Sequence, residues 1–268
     1  MKLRVFLLTS ALALGSGTTL LAQINAGDFA AIYGVNYSSG DRKGTIFPGF
    51  VGPTAFVYRP WCRMAVGIDD DTFVSNHSTT GIISGTGDLG FEGHLTLWTS
   101  HSQSVKPSEC PAKKNSAFTI DYVSTVPVPG ALESKELVHQ FKATYNHPLS
   151  DGDFFANAGI VSAGLSSGGT TQSALLTANY LRNLDTSGTW AVEGETDLQS
   201  SSKLGPSSAS VLFAIDVALG KNQEWGLRFG AAGGLTPYSP KISPFLQLSY
   251  LGSLKPKREK APASVLKD

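Results

Sequence analysis

The chain has 268 residues, of which 41% are hydrophobic and only 16% charged, with 21 basic against 21 acidic side chains. A soluble domain usually carries about 25% charged residues. The zero net charge gives no bulk attraction to nucleic acid, so no nucleic-acid partner is expected.

The N-terminus has the layout of a secretory signal peptide over residues 1–22. Lys2 and Arg4 form a basic start, Val5–Leu14 is apolar apart from Thr9 and Ser10, and small residues lead to Ala22, with Gln23 as the mature start. The apolar run is too short for a membrane helix, and no run of ~18 apolar residues follows it. No cysteine lies near the cut, which argues against a lipoprotein.

From there the chain reads as strands. About twelve segments alternate apolar and polar residues between clusters of Gly, Pro, Ser, Asp and Asn, a period-two pattern that gives each strand two unlike faces. In order they are Asp28–Tyr37, Pro53–Arg59, Cys62–Asp69, Asp88–Trp98, Ser116–Val126 and Glu136–Tyr145. They continue as Asp153–Ser162, Thr171–Leu181, Thr189–Leu198, Ser208–Leu219, Glu224–Gly233 and Ser243–Leu251. Most approach the ~9–11 residues that a tilted strand needs to cross a bilayer, whereas strands of soluble proteins average ~5–6. The predicted fold is all-β: a transmembrane, antiparallel, up-and-down β-barrel of about 12 strands over residues 23–251, in the bacterial outer membrane. Residues 252–268 form a polar tail, expected to be a disordered periplasmic extension.

Position along the strands supports a membrane. If the first strand rises from the periplasm, the apolar faces carry Phe29, Phe118, Tyr145, Phe154, Tyr180, Trp190, Trp225 and Tyr250 at the periplasmic ends of eight different strands. Amphipathic rings at one level form an aromatic girdle at a headgroup boundary. Most turns on that side are short (Pro60–Trp61, Arg182–Gly188 and Lys221–Gln223), while those on the other side, such as Ser38–Gly52 and Asp70–Gly87, are longer. Thr99–Asn115 is the long exception and holds Cys110. Cys62 lies on the same side, so a Cys62–Cys110 disulfide is permitted in an oxidising compartment. The two cysteines lack metal-ligand spacing.

Three stretches resemble a known family. Gly85-Thr86-Gly87-Asp88-Leu89-Gly90 is a Gly-x-Gly-Asp turn leading into an alternating strand. With Tyr145-Asn146-His147-Pro148-Leu149-Ser150-Asp151-Gly152 and Phe56-Val57-Tyr58-Arg59-Pro60-Trp61-Cys62-Arg63, it resembles the outer-membrane transporters grouped as the meta-pathway phenol-degradation family. The resemblance covers roughly Phe56 to Leu251. It implies a barrel of twelve or so strands and uptake of small, aromatic or otherwise hydrophobic solutes.

Strand parity assigns Arg63, Glu92, His94, Asp121, Lys142, Glu193, Glu195, Asp197, Asp216 and Arg228 to the lumen, since a charge facing lipid at the midplane costs ~2–4 kcal/mol. Six carboxylates against three permanent cations would favour cations in an open pore, or the charges pair and plug it. His139 falls on the apolar face between Leu137 and Phe141, which suggests a register fault or a bulge. Gly164-Leu165-Ser166-Ser167-Gly168 matches a nucleophile-elbow pattern but lies between strands, without the strand-turn-helix context it needs. Asp69-Asp70-Asp71 lacks the alternate spacing of a calcium loop and reads as a solvated turn.

No catalytic residue, metal or cofactor is assigned. A channel or transporter for small solutes is the leading function. A non-conducting structural or adhesive barrel, a lipid-modifying barrel enzyme and a soluble secreted sandwich are the alternatives. The enzyme would need a lipid-facing Ser–His pair near the outer rim; none is read, because His94 faces inward, His139 is mid-strand, and His77, His101 and His147 fall in loops. The expected partners are outer-membrane lipid, a small solute in the lumen and the barrel-assembly machinery.

Overall fold

The computed structural model describes residues 26–43, 48–78, 81–100, 115–128, 137–165, 168–203 and 206–254. Thirteen strands run through them. They are β1 (Asp28–Ser38), β2 (Gly49–Trp61), β3 (Met64–Ser78), β4 (Gly81–Gly85), β5 (Leu89–Thr99), β6 (Ala117–Val126) and β7 (Val138–Pro148), followed by β8 (Gly152–Gly164), β9 (Thr170–Asn183), β10 (Trp190–Gln199), β11 (Ser208–Leu219), β12 (Trp225–Gly234) and β13 (Ile242–Ser253). Each strand pairs antiparallel with its neighbours. β1 pairs with both β2 and β13, and β2 with β3, so twelve strands close into a barrel with no free edge. Closure satisfies every ladder from within the sheet, as a strand structure in hydrocarbon requires. β4 is the thirteenth strand: it pairs only with the far end of β3, as a hairpin outside the ring.

All twelve predicted segments are strands. The larger differences lie at the second and third segments and in the additional strand β4. Pro60–Trp61 is not a turn: β2 runs through Trp61 and the chain reverses at Cys62–Arg63. Asp70–Gly87 is not a loop: β3 continues to Ser78 and pairs with β4. Apart from Phe73 and Val74 the run Asp70–Ser78 is polar and gives no apolar alternation, although Val74 and Ser75 are buried in the strand it forms.

The faces are inside-out relative to a soluble sandwich. Outward positions carry large exposed apolar groups, among them Tyr33, Phe56, Ile68, Phe91, Phe141, Ile160, Leu176, Phe229 and Leu248, with Phe213 at 71% exposure. Inward positions hold the buried charges and amides, including Asp121 at 1%. Twelve strands enclose too little space for a second sheet but enough for side chains and a small cavity. Towards the β4 end, small apolar clusters occupy the interior: Val138, Val161 and Ala163 on one wall, and Leu212, Ala214 and Ala232 with Phe245 on another. An oily exterior around a polar interior is stable only with hydrocarbon outside, so this is the architecture of a membrane barrel.

Candidate functional site: the barrel lumen

Two charged clusters meet near mid-barrel. The first is built on β5, β6 and β7. Its strands place Asp121 opposite both His94 and Lys142 in register. His94 Nδ1 lies 2.6 Å from Asp121 Oδ1 and Nε2 lies 3.1 Å from Glu92 Oε2, while the Thr144 hydroxyl donates to the second Asp121 oxygen. An imidazole facing acceptors on both nitrogens bonds both only as the cation.

The second cluster spans β9 to β13. Arg228 Nε donates to Glu193 Oε2 at 2.7 Å, with Nη2 2.6 Å from the same oxygen. Asp216, directly opposite Arg228 in the β11–β12 ladder, lies 3.7 Å away. Arg228 Nη1 donates to Gln247 at 3.3 Å, and the guanidinium sits 5.1 Å from the Phe245 ring centroid. Asn179 donates to both Glu193 and, at 2.9 Å, Glu195, while Thr177 donates to Asp197 at 2.9 Å. Glu193 and Glu195 are each 3% exposed.

The interior is rich in acceptors. Buried oxygens of Asp69, Asn157, Asn179, Glu195, Asp197 and Asp216 have no hydrogen-bond partner. Such a wall is compatible with a wet path, where solvent supplies the missing donors. Among the described residues, no group of three or more His, Cys, Asp and Glu side chains is arranged to hold a metal ion.

A cavity of about 340 Å³ reaches from this charged layer to the turns at the end opposite β4. His94, Asp121, Asp216, Arg228 and Gln247 form its inner end, and the turn residues Arg63, Ser187, Gly188 and Gln223 its mouth. Ile32, Phe155, Leu181 and Leu251 contribute apolar wall between them.

Nine of the ten predicted lumen residues point inward from strands. Arg63 is the correction: it sits in the β2–β3 turn and lines the cavity mouth rather than the strand-walled lumen. Asp69 was missed. It belongs to β3, not to a turn, and faces the interior opposite Ala55 and Gly90. Its neighbours Asp70 and Asp71 also lie in β3, so the solvated-turn reading fails for all three. Asn157, Asn179, Gln140, Gln247 and Arg59 were missed as well; the inward parity of their strands was the signal available for each.

The eight predicted girdle aromatics all lie on the outer face at one end of their strands. Phe118 stands opposite Tyr145, Phe154 opposite Tyr180 and Trp225 opposite Tyr250. Phe29 packs 6.0 Å from Tyr250 and 5.4 Å from Phe56. Tyr58, Trp61 and Trp98 extend the same ring.

His139 needs neither bulge nor register fault, because β7 pairs regularly on both sides. It projects outward, its Nδ1 2.8 Å from the Tyr122 hydroxyl, with Ser124 and Ser162 beside it in register. Ser and His thus share the lipid face near the rim after all, with the imidazole Nδ1 engaged by a tyrosine. His147 lies in β7 and His77 in β3 rather than in loops. His101, Cys110, Ser166 and Ser167 fall outside the described residues, as do the expected signal segment and the expected tail beyond Leu254. The expected Cys62–Cys110 pairing therefore lies partly outside them; among the described residues no cysteine is free.

No family model and no curated protein matches the sequence. Among solved structures, the barrel is similar to the COG4313 outer membrane channel from Pseudomonas putida F1, at 13% identity and a TM-score of 0.60, over 85% of this chain and 96% of that one. It is also similar to the translocator domain of the autotransporter NalP from Neisseria meningitidis, at 10% identity and a TM-score of 0.50, over 90% and 96% of the two chains. At these identities the likeness is one of fold, and the fold is that of outer-membrane β-barrels.

Proposed function

We propose that this protein is an outer-membrane channel or transporter for small solutes, reached by export through its N-terminal signal segment. The observation that carries the reading is the cavity of about 340 Å³ enclosed by a barrel whose outside is apolar and whose inside is charged. A volume of that size suits a small molecule. The likeness to a barrel described as an outer membrane channel supports the same reading. The aromatic ring would sit at the periplasmic headgroup level and the ten polar residues would line or mouth the solute path. Aromatic or other hydrophobic solutes are the class proposed, on the resemblance to the phenol-degradation transporters and on the apolar cavity wall.

A non-conducting barrel is the second reading. It is favoured by the paired charges across mid-barrel and the apolar side chains packed beyond them. Liposome swelling and single-channel conductance of the refolded protein, its folding checked by heat-modifiable gel migration, decide between the two. Solute-dependent swelling above empty liposomes is expected for the channel, and its absence in every solute class assigns the barrel to a structural role.

A further inference from the structure

The wall of the cavity carries a cation that the charged layer does not use. Arg59 lies on β2, with its guanidinium lining the cavity near the mouth. Its Nη1 donates to the Cys62 carbonyl at 3.4 Å, and its Nε is shut off from solvent with no hydrogen-bond partner. A second guanidinium, Arg63, lines the same cavity from the β2–β3 turn. The acidic groups in the cavity are placed elsewhere. Asp121 is held by His94 and Thr144, and Asp216 lies beside Arg228. Asp153 faces in from β8, five strands round a ring of twelve and so nearly across the barrel. Between the two arginines and the charged layer, the wall on their own side includes Ile32, Ala65 and Leu251, with Phe155 and Leu181 facing them across the cavity.

A guanidinium set in a largely apolar cavity wall is costly to leave without a counter-ion, and an anion meeting its terminal N–H groups from the cavity offsets that cost. A planar guanidinium matches a carboxylate in particular, because two parallel N–H groups meet two oxygens. The apolar wall next to it suits a ring or short alkyl body and leaves a second charge carried along that wall without a partner.

We infer that the cavity is a binding site for small amphipathic monocarboxylates, with the carboxylate on Arg59 and Arg63 and the apolar body along Ile32, Ala65 and Leu251 on the strands flanking them, facing Phe155 and Leu181 across the cavity. This rests on the channel reading for its role in solute passage, and it names the solute class. It also sets a polarity: the anionic group sits at the mouth and the apolar part lies deeper in the cavity.

The test uses the full mature barrel refolded into detergent micelles and three probes of one shape, namely benzoate, benzyl alcohol and benzylamine. Binding is read by calorimetry and by ligand-observed saturation-transfer NMR, with empty micelles as reference. Benzoate is expected to bind at least tenfold more tightly than the alcohol or the amine. Because a hydrogen bond to a charged group contributes about 1.5–3 kcal/mol, R59Q should weaken benzoate by about tenfold to a hundredfold and leave benzyl alcohol within twofold. R59K, which keeps the charge but not the fork, should fall between, and R63Q should reproduce part of the loss. Heat-modifiable migration certifies that each variant is folded. If R59Q fails that check, R63Q and the three-probe ranking on the wild-type barrel carry the test.

Equal affinity for the three probes, or benzoate binding unchanged in a folded R59Q and R63Q, overturns the inference. Liposome swelling is measured in parallel. Swelling without benzoate selectivity removes this inference and leaves the channel. Benzoate binding at Arg59 without swelling removes the channel and leaves the site.

Discussion

Replacing Arg228 by methionine tests whether the mid-barrel charges are a structural unit. The substitution removes the guanidinium from Glu193, whose carboxylate is almost wholly buried, and from Asp216, while methionine retains apolar bulk against Phe245. Removing one partner of a buried ion pair costs about 3–5 kcal/mol, because the other charge stays behind unpaired. Asp216 adds little to this, since 31% of its side chain is exposed and its charge is partly screened. R228M is therefore expected to lose about 3–5 kcal/mol in urea unfolding of the barrel reconstituted in phospholipid bilayers, followed by tryptophan emission. E193Q removes the stranded charge, so R228M/E193Q should recover much of that loss, giving a coupling energy of at least ~2 kcal/mol in the double-mutant cycle. If R228M stays within ~1 kcal/mol of wild type, or the two effects simply add, the pair is not the buried unit described and the lumen there is open to bulk water.

Three further outcomes follow from other parts of the barrel. Phe213, at mid-strand on the outer face, should tolerate leucine, while F213R should cost about 2–4 kcal/mol in the same bilayer assay; a neutral F213R would mean that this face does not meet lipid. A Cβ on Gly230 would run into the Phe213 carbonyl and the Ala214 backbone, so G230A should destabilise by about 1–3 kcal/mol, whereas G233A, which meets nothing, should be near neutral. Asp185, in the β9–β10 turn, is held below the usual carboxylate range by the Ser187 hydroxyl and the Trp190 amide. A depressed carboxylate stabilises above its unfolded pKa and loses that contribution as pH falls through the folded value. The protection factor of the Trp190 amide, taken against the intrinsic exchange rate at each pH, should therefore fall below about pH 4 in wild type and show no such fall in D185N; the same pH profile in D185N would assign the protection to something else.

Strand parity carried much of the architecture in advance. The alternation in Trp190–Gln199 and Ser208–Leu219 fixed which of their residues face inward, and Glu193, Glu195 and Asp216 followed from counting by twos. Counting failed where the residue pattern carried no membrane signal. Asp69–Asp71 looked like a turn because three acids in a row rarely sit in a strand, yet Asp69 sits opposite Ala55 and Gly90, small neighbours that leave room for its side chain. His139 looked like an error because an imidazole on a lipid face has no partner within its own strand. Its partner, Tyr122, comes from the neighbouring strand across a long connection.

The sequence by itself determined the number of barrel strands, the face of nearly every residue in them and the level of the aromatic ring, because a period of two is a property of the extended backbone alone. Only the tertiary structure decided which inward groups meet. Arg228 reaches Glu193 past an intervening strand, and His94 joins Glu92 to Asp121 across two strands. Those meetings depend on ladder register, barrel closure between β1 and β13, and side-chain reach across a curved wall, none of which is written in the alternation of a single strand. The cavity is likewise a product of closure, since twelve half-polar ribbons enclose a space only once the last is paired with the first.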